Sequence, residues 1–148
     1  KDKKLGNLLW VYAPNYQSND GVKPVTYYYP GDRYVDVVGL DYYENTLDRL
    51  DAGRSYSDLV ALGKPFALTE VGPAFWFSAH PRGRFDTRIV IDTIRKKYPA
   101  VSYFMFWQGW SSLLLNVKMS MVDNRNASEL MSDPWVANRG GLDWRPAP

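Results

Sequence analysis

The sequence predicts an α/β fold built on parallel strands. Three observations carry this reading: four short apolar runs bounded by turn residues, two intervening segments with helical spacing, and strand starts recurring at about thirty-residue intervals, the length of a βα unit. The runs are Asn7–Ala13 (NLLWVYA), Tyr34–Asp41 (YVDVVGLD), Pro65–Val71 (PFALTEV) and Val101–Trp107 (VSYFMFW). All four are largely apolar on both faces, as strands of a parallel sheet under covering helices are. The first helical candidate, Thr46–Leu62, places Leu47, Leu50, Leu59 and Leu62 around a middle interrupted by glycine. The second, Asp86–Tyr98, spaces Ile89, Val90, Ile94 and Tyr98 on one face, gathers Arg95, Lys96 and Lys97 in its last turn, and is stopped by Pro99. A short helix is expected around Ala127–Met131. Such an order fits either a small doubly wound sheet or half of an eight-stranded barrel. A complete (β/α)₈ barrel takes roughly 250 residues, so 148 residues do not close one alone.

No low-complexity linker divides the chain, so residues 1–148 read as one unit. With 45% apolar residues the composition supports a packed core rather than disorder. Eleven Tyr and six Trp are a heavy aromatic load, which serves either to fill a core or to present flat faces to a ligand such as a sugar. A net charge of +2 gives no concentrated basic stripe for nucleic acid. The absence of cysteine excludes disulfides, thiolate metal sites and a cysteine nucleophile. No run approaches the roughly 20 apolar residues of a membrane span. The chain opens on Lys-Asp-Lys-Lys and is expected to be a processed or excised piece.

In both candidate architectures, chemistry gathers where strands run out at their C-terminal ends. Those positions are Asn15, then Asp41 and Tyr43, then Glu70, then Trp107. Strand alternation puts Gly39, Asp41 and Tyr43 on one face, Glu70 with Leu68 and Phe66, and Trp107 with Met105. A rim carboxylate such as Glu70 is partly desolvated yet reaches a ligand, a setting suited to catalysis as well as to simple loop capping. Tyr43 is placed to hold that carboxylate by a hydrogen bond, and Trp107 to floor a sugar ring. Other chemistries lack their residues: no GxGxxG follows a strand, no phosphate-binding loop occurs, and GxSxG is absent. The single histidine, His80, lies in a loop segment, which makes a zinc site improbable.

The runs LLWVYAPN (8–15), YPGDRYVDVVGLDYY (29–43), GKPFALTEVGP (63–73) and YFMFWQGW (103–110), with the ending LMSDPWVANR (130–139), resemble glycoside hydrolase family 26. That family consists mainly of endo-β-1,4-mannanases of the two-glutamate barrel clan, and the resemblance spans essentially the whole chain. It implies that the four runs are strands five to eight of a (β/α)₈ TIM barrel, so that residues 1–148 form the C-terminal half of a catalytic barrel. It makes Glu70 the nucleophile and Tyr43 the tyrosine that orients it. Asp36 and Asp41 match acidic positions with supporting, substrate-side roles, and either Trp107 or Trp110 is the tryptophan under the sugar, strand geometry favouring Trp107.

The implied reaction is retaining hydrolysis of β-1,4-mannosidic bonds through a covalent glycosyl-enzyme, without metal or organic cofactor. Related β-glucanases or xylanases share the scheme, and a non-catalytic carbohydrate-binding or assembly fragment is the reading from another class. The acid/base glutamate of the family, at the end of strand four, has no counterpart here. Of the other glutamates, Glu44 reads as a solvated loop residue and Glu129 falls in the last helical segment. The expected partners are β-mannan or manno-oligosaccharide and the missing N-terminal half of the barrel, or a second copy covering the exposed edges, with secretion implied by a polymeric substrate.

Overall fold

A computed structural model describes residues 6–16, 23–74, 83–111, 116–138 and 140–141. Its centre is a four-stranded, all-parallel sheet: β1 (Val11–Tyr12), β2 (Val37–Tyr43), β3 (Phe66–Gly72) and β4 (Val101–Phe106). The strands lie side by side in sequence order. A doubly wound sheet reverses its order at a switch point, and no reversal occurs among these four strands.

The helices are shorter than their sequence patterns. α1 covers only Ser55–Val60, because the expected helix from Thr46 is broken by a turn of 3₁₀ helix at Ala52–Arg54. There Gly53 and Arg54 take positive φ of 56° and 64°, a conformation that ends a right-handed helix. Asp51 restarts it by accepting hydrogen bonds from the Ser57 N–H (2.8 Å) and Oγ (2.6 Å). α2 runs Arg88–Lys97 and keeps its three basic residues in the last turn, where they meet the negative end of the helix dipole. α3 is Ala127–Met131. The sequence reading missed a two-stranded antiparallel ribbon, β5 (Trp110–Ser111) with β6 (Asn116–Val117). Two-residue strands fall below what periodicity can register.

The two faces of the sheet differ. Val38, Leu40 and Tyr42 of β2, Phe66, Leu68 and Val71 of β3, and Phe104 and Phe106 of β4 join one apolar cluster with Leu59 of α1 and with Val90 and Ile94 of α2. Both helices therefore cover the same face. On the other face the outer strands are bare: Val11 of β1 and Tyr103 and Met105 of β4 are exposed, Met105 by 57%. Between them lie small residues, Gly39 and Ala67. A β carbon on Gly39 would stand 2.6 Å from Thr69 Cγ2 and 2.7 Å from the Ala67 carbonyl oxygen, so only glycine fits there.

Strand β3 breaks the alternation the sequence suggested. Leu40 pairs with Leu68 but Asp41 pairs with Glu70, so Thr69 and Glu70 together oppose one residue of β2. The pairing with β4 shifts over the same stretch, from Leu68–Phe104 to Val71–Phe106. This is a one-residue β-bulge, a device that re-aims side chains. It corrects the expected grouping: Phe66 and Leu68 face the helices, whereas Glu70 stands with Asp41 and Tyr43 on the open side.

Candidate active site at the C-terminal end of the sheet

The carboxylate of Glu70 is half-buried and accepts a hydrogen bond of 2.6 Å from the Tyr43 hydroxyl to Oε2. Tyr43 and Gly72 are cross-strand partners. A β carbon on Gly72 would lie 3.3 Å from Tyr43 Cε1 and 3.2 Å from the Met119 methyl, so the bare glycine gives the ring its seat. Burial, then the bond to Glu70, then its charge drive the Tyr43 phenol far above the ordinary tyrosine value. The phenol therefore keeps its proton and remains a donor across the working pH range.

Asp41 stands beside Glu70 and accepts a 2.9 Å hydrogen bond at Oδ1 from Thr69 Oγ1. Burial raises its carboxyl above the usual range, the Thr69 hydroxyl pulls it back, and the charge of Glu70 raises it again. Its backbone anchors the end of β1: the Asp41 N–H donates to the Pro14 carbonyl (3.0 Å), and its carbonyl accepts from the Tyr16 N–H (3.3 Å). Asn15 pairs with Asp41 as an isolated bridge, which brings the first predicted strand end to the same rim.

Trp107 follows β4 at this rim, is 43% exposed, and donates its backbone N–H to the Val71 carbonyl, one residue past Glu70. Trp110 lies in the separate ribbon, paired with Val117. Trp107 is thus tied directly to the strand that carries Glu70.

Two expectations change. Asp36 does not join this group. It precedes β2 at the opposite end of the sheet and is exposed, and its Oδ2 accepts the Trp10 N–H at 2.8 Å. Its observed role is to tie the start of β2 to β1, not to face a ligand beside Glu70. Glu44 is not simply solvated: it is half-buried and accepts a short hydrogen bond from the Tyr16 hydroxyl. Burial and that bond push the Tyr16 phenol up to about 12, and its ring packs against Tyr42 at 4.5 Å. Thr69, which sequence reasoning passed over, is the residue that bonds Asp41. The signal for it was present as the small Gly39 opposite.

Glu129 is exposed on α3, and His80 lies outside the described residues. A cavity of about 570 Å³ opens elsewhere, between α2, β4 and the segment after α3, lined by Ile91, Ile94, Phe104, Met131 and Trp135 among others. It touches the helix-covered side of β4 and holds no carboxylate, so it is not where Glu70 works. Among the described residues no three His, Cys, Asp or Glu side chains converge to hold a metal ion, and no helix is long and apolar enough to cross a membrane.

The chain as a whole is similar to proteins of known function. The mannan endo-1,4-beta-mannosidase A and B of Caldalkalibacillus mannanilyticus is 40% identical over 143 residues, covering 97% of this chain and 24% of that protein. A mannan endo-1,4-beta-mannosidase of Bacillus subtilis strain 168 is 40% identical over 138 residues, covering 93% of this chain and 33% of that one. The solved structure of a Bacillus subtilis mannanase superimposes on the whole chain with a TM-score of 0.74 and 35% identity, and the match takes up 37% of its length. The chain thus spans about a quarter to a third of the curated relatives it matches. The family model for glycosyl hydrolase family 26 matches residues 1–141. The chain belongs to glycosyl hydrolase family 26.

Proposed function

We propose that these 148 residues are the C-terminal half of the catalytic barrel of a retaining endo-β-1,4-mannanase, contributing strands five to eight and the nucleophile Glu70. The observation that carries the reading is the Tyr43–Glu70 hydrogen bond at the C-terminal rim of a sequentially ordered parallel sheet. A nucleophilic carboxylate must be ionised, aimed and partly desolvated. Tyr43 supplies the aim, and its locked proton makes it a steady donor to the charged form.

In the proposed reaction Glu70 attacks the anomeric carbon while the bond to the leaving oxygen breaks. That oxygen takes its proton from a carboxylic acid about 5–5.5 Å away across the sugar. The product is a glycosyl ester on Glu70. Water, deprotonated by the same acid/base, then attacks the anomeric carbon and frees the carboxylate. This scheme calls for no metal or organic cofactor. The acid/base is assigned to residues beyond the present 148: Glu44 is engaged by Tyr16, and Glu129 is exposed on α3. Trp107 would form the apolar floor under the reacting sugar, with Asp41 supporting the nucleophile's surroundings. Mannan is the substrate because the mannosidases above are 40% identical to this chain. The bare face between β1 and β4 would be closed by the N-terminal half of the barrel rather than by solvent, and a polymeric substrate places the enzyme outside the cell.

The test is a chimera in which this chain replaces the matching segment of the Bacillus subtilis mannanase. It should release manno-oligosaccharides from mannan. Glu70→Ala should lower kcat by about 10⁴-fold or more and, with azide and an activated mannoside, yield the α-glycosyl azide. An active chimera that tolerates Glu70→Ala would refute the assignment of the nucleophile.

A further inference from the structure

The bulge in β3 leaves Thr69 and Glu70 sharing one place opposite Asp41. Burial of Val71, fully enclosed in the core, sets the parity of the strand beyond the bulge. It does not decide how the two side chains divide the space on the open face. That division is visible in their contacts. Thr69 leans back toward the start of β2, its methyl occupying the notch left by the missing β carbon of Gly39, and its hydroxyl donates to Asp41. Glu70 is left the forward position, beside Tyr43. Gly39, Asp41 and Tyr43 are successive residues on the open face of β2, so each side chain of the bulge has its own partner there.

Resting on the nucleophile reading above, we infer that Thr69 is a positioning residue: its hydroxyl, bonded to Asp41 over Gly39, pins the bulge that sets the Glu70 carboxylate beside Tyr43. A bulge gives up ladder hydrogen bonds and loosens the strand locally, so a side-chain bond is what holds it in one geometry. Serine at 69 keeps the donor. Valine keeps the volume, loses the donor, and leaves Asp41 without its partner. The loss should reach catalysis through placement rather than through affinity, because the side chain of Thr69 is buried against β2.

In the active chimera, Thr69→Val is expected to lower kcat by about 10- to 100-fold with KM held within about twofold, the pattern of a misplaced reacting group. Thr69→Ser should recover kcat to within about threefold. Gly39→Ala, whose β carbon would stand 2.6 Å from the Thr69 methyl, 2.7 Å from the Ala67 carbonyl oxygen and 3.1 Å from the Thr69 hydroxyl, should displace Thr69 as a whole and lower kcat as well. Crystal structures of the chimera should show the Tyr43–Glu70 hydrogen bond intact in the parent and serine forms and opened in the valine form. Unchanged kcat in Thr69→Val, equal losses in the serine and valine forms, or an undisturbed Tyr43–Glu70 bond in the valine form would each overturn the role. A chimera without activity would count against the functional reading alone, since the crystallographic comparison decides the role of Thr69 without turnover.

Discussion

The two faces of the central sheet are built by different rules. The helix-covered face is mainly apolar: Leu40, Leu68, Val71 and Phe104 pack with α1 and α2. The open face carries small residues at its centre and a polar group, Asp41, Thr69, Glu70 and Tyr43, at one end. One face is held by burial, which tolerates any shape that fills the space. The other is held by particular hydrogen bonds, which fail if one atom moves. The lesson is that stability and the geometry of the Glu70 carboxylate are carried by different faces of the same strands, and should be separable by mutation.

The largest effect should come from the covered face. Leu68→Ala removes a fully buried side chain between β3 and the helices and should cost about 2–5 kcal/mol, read from denaturant unfolding of the chimera. Next comes Tyr43→Phe, which deletes the donor to Glu70. It should reduce kcat by about 10- to 100-fold, the value of a hydrogen bond to a charged group, with the unfolding midpoint little changed. Gly39→Ala sits on the boundary between the two behaviours: it should destabilise by about 1–3 kcal/mol through overpacking and lower kcat as well. The smallest effect belongs to Asp36→Ala at the far end of β2. Loss of its bond to the Trp10 N–H should cost about 0.5–1.5 kcal/mol in stability and leave kcat untouched. A fall in kcat for that variant would restore the substrate-side role the sequence suggested, and a Tyr43→Phe variant that unfolds like Leu68→Ala would erase the distinction between the faces.

Much of the covered face was legible in the sequence. Each of the four apolar runs holds a strand: β2 and β3 are displaced by one to three residues, β4 starts where expected, and β1 keeps only two of its seven residues. α3 fell on its expected residues. The helix expected from Thr46 failed at Gly53 and Arg54, where positive φ overrides the leucine spacing. On the open face, the residues Glu70, Tyr43 and Asp41 were legible as strand-end groups, but their arrangement was not. Alternation put Glu70 with Leu68 and Phe66, and only the paired strands reveal the extra residue that reverses it. A bulge leaves no periodic trace in one strand, since it is a relation between two. Asp36 came to the site only through the family resemblance; the sequence already put it near the start of its run, and the structure ties it there to Trp10.

The sequence-ordered sheet has a kinetic consequence. Val11 pairs with Val37, Val38 with Phe66, and Phe66 with Val101, so each strand meets its neighbour after one βα interval. Parallel pairing is slow to form when partners are far apart along the chain, because the entropy of closing the intervening loop comes before any reward. These three closures are of similar modest length. During synthesis, β1 can find β2, and that pair can recruit β3, in the order in which they leave the ribosome. The last strand to arrive, β4, then completes the floor beneath a carboxylate whose bulge and tyrosine are already in place.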